Sequence, residues 1–392
     1  MNARVLAQEK KLYLVGMLEL ACEKLDITDA EREMARSRYE AVGEWLSDGQ
    51  NTYLANSSIY TQGSIRLRTT VRPIGRNEFD VDLICFLPGA ANLGPHQVRD
   101  LVGNRLKENS TYKGMLEPHN RAWRLVYANE FHMDITPAIA DPKHANGAVL
   151  VPDRELQDWK ESHPKGYASW FEGITKREPG LLLEKRAIKA DVEPMPSEIQ
   201  FMGSLRRIVQ IMKRHRDVWC SKLPAAQRDD APISIILTTL AARAYEGCVH
   251  TRYDNALDLL LDVVDAMPRF IEQRTVYPAG LEDWIQNPMN AKENFADKWK
   301  AHPQRKVAFG QWHRQFRTDL DRLAQQQGLD AIATGLGGML DESISKSVLA
   351  ETTRRLNSNR EYGRVVTGAG GLIGTALAQP ASAVPKNTFY GE

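Results

Sequence analysis

Cysteine is scarce in this chain. The four that occur, Cys22, Cys85, Cys220 and Cys248, stand far apart with no Cys-x-x-Cys pair among them, so neither a zinc ribbon nor a disulfide framework is suggested. They read as small buried hydrophobes. Excess charge is lacking too: 51 Lys and Arg face 50 Asp and Glu, a net charge of +1. No global pull toward nucleic acid or membrane follows, and any phosphate-binding surface has to be local. No apolar run approaches the ~18 residues of a membrane span. The opening MNARVLAQEKKLYLVGML is interrupted by charges where a secretory leader would be apolar. The expectation is a cytoplasmic protein without membrane attachment.

What is present suffices for a real core: 392 residues, 42% of them hydrophobic, fit two or three domains. Apolar residues recur at helical spacing over 5–26 and again after Asp29 (Met34, Tyr39, Val42, Trp45), predicting two opening helices. Residues 79–87, Trp123–Tyr127 and Phe131–Thr136 read as strands, the last two joined as a hairpin. From about 197 helical patterns dominate, over 203–219, 232–246, 254–274, 291–300, 306–328 and 340–357. Residues 141–196, rich in Pro, Gly and Trp, read as a long, partly irregular connection. The fold class is therefore α+β. A mixed sheet with its opening helices fills 1–196, an α-helical domain fills 197–360, and 361–392 form a Pro-broken tail expected to be mobile.

The strand Phe79-Asp80-Val81-Asp82-Leu83 raises a chemical question. Alternation sends Asp80 and Asp82 to one face and Phe79, Val81 and Leu83 to the core. Two adjacent carboxylates without a partner cost several kcal/mol, on the order of a small domain's stability. A divalent cation meets that cost, and Mg²⁺ prefers one or two carboxylates with phosphates and water. The plain alternative is a capping, arginine-paired or solvent-edge Asp-x-Asp, and taken alone the pattern favours it. Context shifts the balance. Upstream lies Gln62-Gly63-Ser64, where Gly permits close backbone approach and Ser offers a hydroxyl for phosphate, with Arg66 and Arg68 following. Downstream, Asp134 lies on the strand Phe131–Thr136 and joins the pair if the two strands are neighbours. Three carboxylates can hold two metal ions.

The order Gly-Ser, apolar-Asp-apolar-Asp, lone strand Asp resembles the signature of the polymerase-β-like nucleotidyltransferase superfamily. The stretches TQGSIRLRTTVRP, NEFDVDLICFL, FHMDITPAI, HPKGYASWF, LRRIVQIMKRHRDVW, APISIILTTLAA and NPMNAKENFADKW resemble, in order, the bacterial cGAS/DncV-like nucleotidyltransferases (CD-NTases), in the branch similar to oligoadenylate synthetase. That resemblance implies a bilobal enzyme of anti-phage (CBASS) signalling. Such an enzyme joins ATP and other nucleoside triphosphates into a cyclic di- or trinucleotide, with pyrophosphate released and no template. It also implies two Mg²⁺ ions, replaceable by Mn²⁺, on Asp80, Asp82 and Asp134; Asp134 is further assigned the 3′-hydroxyl proton, taken directly or through the metal. Nucleotide binding falls to Gln62, Gly63, Ser64, Arg66, Lys213 and Ser234. A tail partner is implied as well, either a ubiquitin-like conjugation enzyme or a HORMA protein; bound nucleic acid is not expected to be required. The longer link between Ser64 and Asp80 leaves the roles of Arg72 and Arg76 open, and Arg66 and Arg68 bind phosphate or pair with Glu78.

Other features divide between plain and functional readings. The basic positions Arg206, Arg207, Lys213, Arg214 and Arg216 form either a solvated helical face or a phosphate contact, with Lys213 favoured for the latter. Tyr167 and Trp170 are candidates for base stacking, although ordinary packing is the commoner role for each. NPMNAKENFADKW reads as a helix start and interlobe contact. RVVTGAGGLIG copies the spacing of a dinucleotide-binding turn, but too little chain follows Gly374 for the βαβ unit it needs. Linear oligoadenylate or RNA-tailing synthesis, and a silent nucleotide sensor, are the competing functions.

Overall fold

A computed structural model describes residues 8–48, 51–75, 79–128, 130–144, 147–155, 157–181, 203–278 and 280–361, with the short pairs 366–367, 373–374 and 382–383. Its contacts form two compact units. One is built from residues 26–173 and 286–294. The other takes 1–25, 174–285 and 295–392. This division differs from a single cut near 196, because the first helix, α1 (Gln8–Leu25), clusters with the later helices.

The unit of residues 26–173 is a sheet backed by helices. After α2 (Asp29–Ser47) come β1 (Ser58–Thr61), α3 (Gly63–Leu67), β2 (Phe79–Phe86), α4 (Pro95–Glu108) and the single turn α5 (Ser110–Lys113). The strands β3 (Leu116–Pro118), β4 (Trp123–Tyr127), β5 (Phe131–Ala140), β6 (Val149–Asp153) and β7 (Asp158–Ser162) follow, then α6 (Pro164–Thr175). The sheet runs β1-β2-β5-β4-β3, with β6 paired to the end of β5 and β7 to β6. Among the described residues of this sheet, β2 and β5 pair in parallel and the other pairings are antiparallel.

The alternation read from sequence decides which face is buried. Phe79, Val81, Leu83 and Cys85 of β2 join Met133 and Ile135 of β5 and Leu125 of β4 in one core. Val42 and Leu46 of α2 and Val98, Val102 and Leu106 of α4 cover it. A capping box between Thr28 and Glu31 starts α2. Trp123 lies so close to α4 that a Cβ on Gly103 would sit 2.2 Å from its ring. The opposite face of β2 and β5 carries Asp80, Asp82 and Asp134.

Residues 141–181 are more regular than the sequence indicated: a β6–β7 hairpin and α6 occupy most of them. Asp158–Ser162 is polar and partly exposed on both sides, so no period-2 hydrophobic signal marks it.

The second unit is mainly helical. It contains α1, the short strand β8 (Gly180–Leu181), α7 (Ser204–Ser221), α8 (Ala225–Arg228) and α9 (Ser234–Cys248). The strand β9 (Arg252–Tyr253), which pairs with β8, and α10 (Ala256–Ala266) come next. α1 packs against α7, α10 and a late helix, burying Leu14, Met17, Leu18, Leu20 and Leu25 almost completely. Two ion pairs anchor it: Lys11 to Asp258 at 2.9 Å and Glu19 to Arg207 at 2.8 Å.

Three expectations for residues 254–340 change. The helix over 254–274 gives way after α10 to a hairpin of β10 (Glu272–Val276) and β11 (Gly280–Trp284). NPMNAKENFADKW is not a helix start. It forms a second hairpin, β12 (Gln286–Asn287) with β13 (Asn290–Asn294), and a 3₁₀ turn at Asp297–Trp299. Both hairpins are rich in polar residues, at exposed and at buried positions alike, which hides their period. After α11 (Pro303–Gln325) comes an unanticipated helix, α12 (Leu329–Leu340), then α13 (Glu342–Glu361). Gly335, Gly337 and Gly338 lower the intrinsic helix propensity of α12. Yet a Cβ on Gly335 would sit 3.0 Å from Leu323 and one on Gly337 3.4 Å from Ser345. Tight packing overrides propensity there.

Val366–Thr367 pairs with Ile373–Gly374 and Ser382–Ala383. The centre of the Gly-rich decoy, most of the expected tail, and the residues Arg76 and Glu78 lie outside the described residues.

Candidate active site

The strand register brings the carboxylates together. In the parallel β2–β5 pairing Asp82 stands opposite Asp134 and Asp80 opposite His132. The neighbour condition set by the sequence is met. Asp134 in turn faces Arg124 across the antiparallel β4–β5 pair. Arg124 Nε and Nη2 donate to the two oxygens of Asp134 at 2.7 Å each, and Nη2 reaches Asp80 Oδ1 at 3.4 Å. His132 Nδ1 lies 3.6 Å from the same Asp80 oxygen.

Electrostatics follow from this crowding. Burial pushes the Asp80 carboxyl above the usual carboxylate range, and the charge of Asp134 adds to the rise, while Arg124 and His132 oppose it. The Asp80 side chain is still 56% exposed, so water screens these effects and the shift is small in free-energy terms. Hydrogen bonding to Asp134 chiefly raises the Arg124 pKa.

Gln62, Gly63 and Ser64 sit beside this group. The Gln62 N–H donates to the Asp82 carbonyl at 2.8 Å, and the chain then leaves β1 into α3. Gly63 has φ +58°, and a Cβ there would lie 2.2 Å from Asp82 Oδ2. Only glycine fits both the conformation and the contact. The Ser64 hydroxyl accepts from Thr70 Oγ1 at 3.2 Å, leaving its own proton to be donated elsewhere. Arg66 and Arg68 are exposed, and Arg68 caps α3 at φ 57°. Arg72 pairs with Glu31 at 2.8 Å, which gives it a role at the start of α2.

Lys213 and Ser234 belong to the helical unit. Lys213 is buried on α7, 5% exposed. One turn further on, Arg216 donates to Ser234 Oγ at the start of α9 at 3.2 Å and to the Pro232 carbonyl. The neighbouring cations are engaged internally, Arg207 with Glu19 and Arg214 with the Leu340 carbonyl. The helix is therefore not a simple solvated basic face. Tyr167 is buried and its ring centroid lies 5.3 Å from that of Trp170, the packing role weighed above.

Sequence reasoning missed Arg124 and His132. The signal was available: once the hairpin register pairs Trp123 with Ile135, Arg124 must face Asp134. A further cluster lies in the same unit, where ligand atoms of Asp141, His144 and Glu161 fall within 4.8 Å of one another. Asp141 accepts from the Lys143 N–H and pairs with His144 Nδ1 at 2.7 Å, and Glu161 accepts from Asn290 Nδ2 at 2.9 Å. Among the described residues no helix is long and apolar enough to cross a membrane.

Comparison with known proteins shows what the chain is similar to. Residues 15–174 match the Second Messenger Oligonucleotide or Dinucleotide Synthetase domain. A c-di-GMP synthase of Roseivirga ehrenbergii is 29% identical over 392 residues, covering 99% of this chain and 100% of that protein. A cyclic AMP-AMP-AMP synthase of an Acinetobacter species is 30% identical over 177 residues, 44% of this chain and 48% of that one. The fold is similar to that of the Bradyrhizobium diazoefficiens CD-NTase CdnG in complex with GTP, with a TM-score of 0.63 at 19% identity over 87% of this chain and 98% of that one. This chain is thus similar in fold to the bacterial CD-NTases and, over residues 15–174, to a second-messenger nucleotide synthetase domain, and its core is α+β.

Proposed function

We propose that this protein joins nucleoside triphosphates, without a template, into a cyclic di- or trinucleotide second messenger. Cyclic di-GMP is the favoured product, since the relative similar over its whole length is a c-di-GMP synthase. The observation that carries the site assignment is the β2–β5 register, which sets Asp82 opposite Asp134 with Asp80 two residues along the same face.

These residues suit a divalent cation. The donors are hard carboxylate oxygens, Gly63 leaves a cradle against Asp82 that any side chain would fill, and the Arg124 guanidinium already stands among the acids as a cation. Asp80, Asp82 and Asp134 would hold two ions, Mg²⁺ or Mn²⁺ in its place. When bound, such ions lower the pKa of the attacking hydroxyl and neutralise charge on the leaving pyrophosphate.

The chain's own groups divide the remaining work. Asp134 accepts the 3′-hydroxyl proton. Gln62 and Gly63 bring backbone close to the triphosphate, where the Ser64 hydroxyl donates, and Arg66 supplies exposed positive charge. Lys213 and Ser234, in the helical unit, are assigned to phosphate by the resemblance alone, and the Ser234 hydroxyl, whose oxygen accepts from Arg216, has its proton to donate. Positioning and charge compensation are the main requirements of phosphoryl transfer, so no Cys or His nucleophile is needed.

Incubation with the four nucleoside triphosphates and Mg²⁺, then phosphatase treatment and mass spectrometry, tests this reading. A phosphatase-resistant ring containing guanosine is expected from the wild type and none from Asp82→Asn. Linear, phosphatase-sensitive products would point to the oligoadenylate-type alternative, and equal activity in Asp82→Asn would overturn the site.

A further inference from the structure

Arg124 holds a position that the proposed reaction does not require of it. Its guanidinium uses two nitrogens on the two oxygens of Asp134 and stretches one of them to Asp80. It therefore bridges two of the three carboxylates proposed to bind cations. The side chain is 21% exposed, and a guanidinium is charged at any working pH.

We propose that Arg124 is a resident counter-cation that holds the carboxylates in the ion-free protein and that a divalent ion must outcompete. This rests on the carboxylate reading above. Three carboxylates gathered on adjoining strands repel one another, and one guanidinium relieves part of that repulsion. The contacts are unequal: 2.7 Å twice to Asp134 but 3.4 Å to Asp80. A charge-assisted fork at 2.7 Å is strong, whereas a 3.4 Å contact is weak. The Asp80 arm is thus the one that yields first. Competition arises in two ways. The fork occupies both Asp134 oxygens, and a fixed positive charge beside the site repels an incoming dication. Arg124 therefore stabilises the empty site and raises the ion concentration at which it fills. That makes it a positioning residue for Asp134 and a brake on loading.

Mn²⁺ alone, titrated into the full-length protein and followed by electron paramagnetic resonance, reads this without turnover. Arg124→Met is expected to bind Mn²⁺ roughly tenfold more tightly than the wild type. Without ions its melting temperature is expected to fall by a few degrees, and it recovers on adding Mn²⁺. Arg124→Lys keeps the charge without the fork and is expected to lie between. Unchanged or weaker Mn²⁺ binding by Arg124→Met overturns the proposal. Should that variant fail to fold, Arg124→Lys decides, tighter binding supporting the proposal and equal or weaker binding overturning it. Asp80→Asn and Asp82→Asn separate the two claims. If both abolish Mn²⁺ binding while Arg124→Met leaves it unchanged, only the role of Arg124 fails. If neither alters it, the carboxylate site itself fails.

Discussion

Gly63 and Asp82 constrain each other. The φ of +58° already excludes most side chains at little cost to glycine, and the 2.2 Å approach to Asp82 Oδ2 removes the rest of the freedom. Gly63→Ala is expected to turn the Asp82 carboxylate away and cut product formation by roughly a hundredfold or more, as ~1 Å displacements of reacting groups do. Its melting temperature should fall by only a few degrees, the scale of about 1 kcal/mol. Steady-state assays and thermal melts check this. A fully active variant would show that the turn does not set Asp82. A second residue-scale expectation concerns Glu351 on α13, whose pKa is drawn down to about 2, first by its hydrogen bond to Arg354 and, against burial, also by Arg355. A depressed carboxyl pKa contributes stability that is present above the ordinary value of 4.5 and is lost as pH falls toward 2. Glu351→Gln should therefore flatten the acid limb of a melting-temperature profile in that window. Near pH 7 it should cost no more than about 1 kcal/mol, since helix-surface ion pairs are weak.

At the scale of elements, the strands that carry the acids were legible in the sequence and their neighbours were less so. Asp80, Asp82 and Asp134 stood out because alternation exposes a carboxylate against an apolar background. Arg124 did not, since a single arginine in Trp-Arg-Leu-Val-Tyr is ordinary until the hairpin register is written out. β10 to β13 escaped because hairpins built of polar residues have no hydrophobic period, and α12 because three glycines mask a helix held by packing. The placement of α1 was equally hidden, for amphipathic spacing says that a helix is buried but not against what. Its buried Glu19 gives a direct check. Glu19→Ala removes the carboxylate to which Arg207 of α7 donates and should cost about 3 kcal/mol, measured by urea denaturation. A cost near zero would mean that α1 is not integral to the helical unit.

For the whole molecule, the proposed cation site, with its three acids, Gly63 and Arg124, lies within the sheet unit. The near-neutral charge agrees with small phosphorylated substrates, for which a few fixed cations suffice, better than with a long nucleic-acid surface. The anomalous signal of Mn²⁺ in crystals soaked with GTP tests the central claim most directly. The account predicts manganese peaks within coordination distance of Asp80, Asp82 and Asp134 together, facing the triphosphate. Manganese bound only at Asp141, His144 and Glu161, or a triphosphate lodged away from the three aspartates, would contradict it.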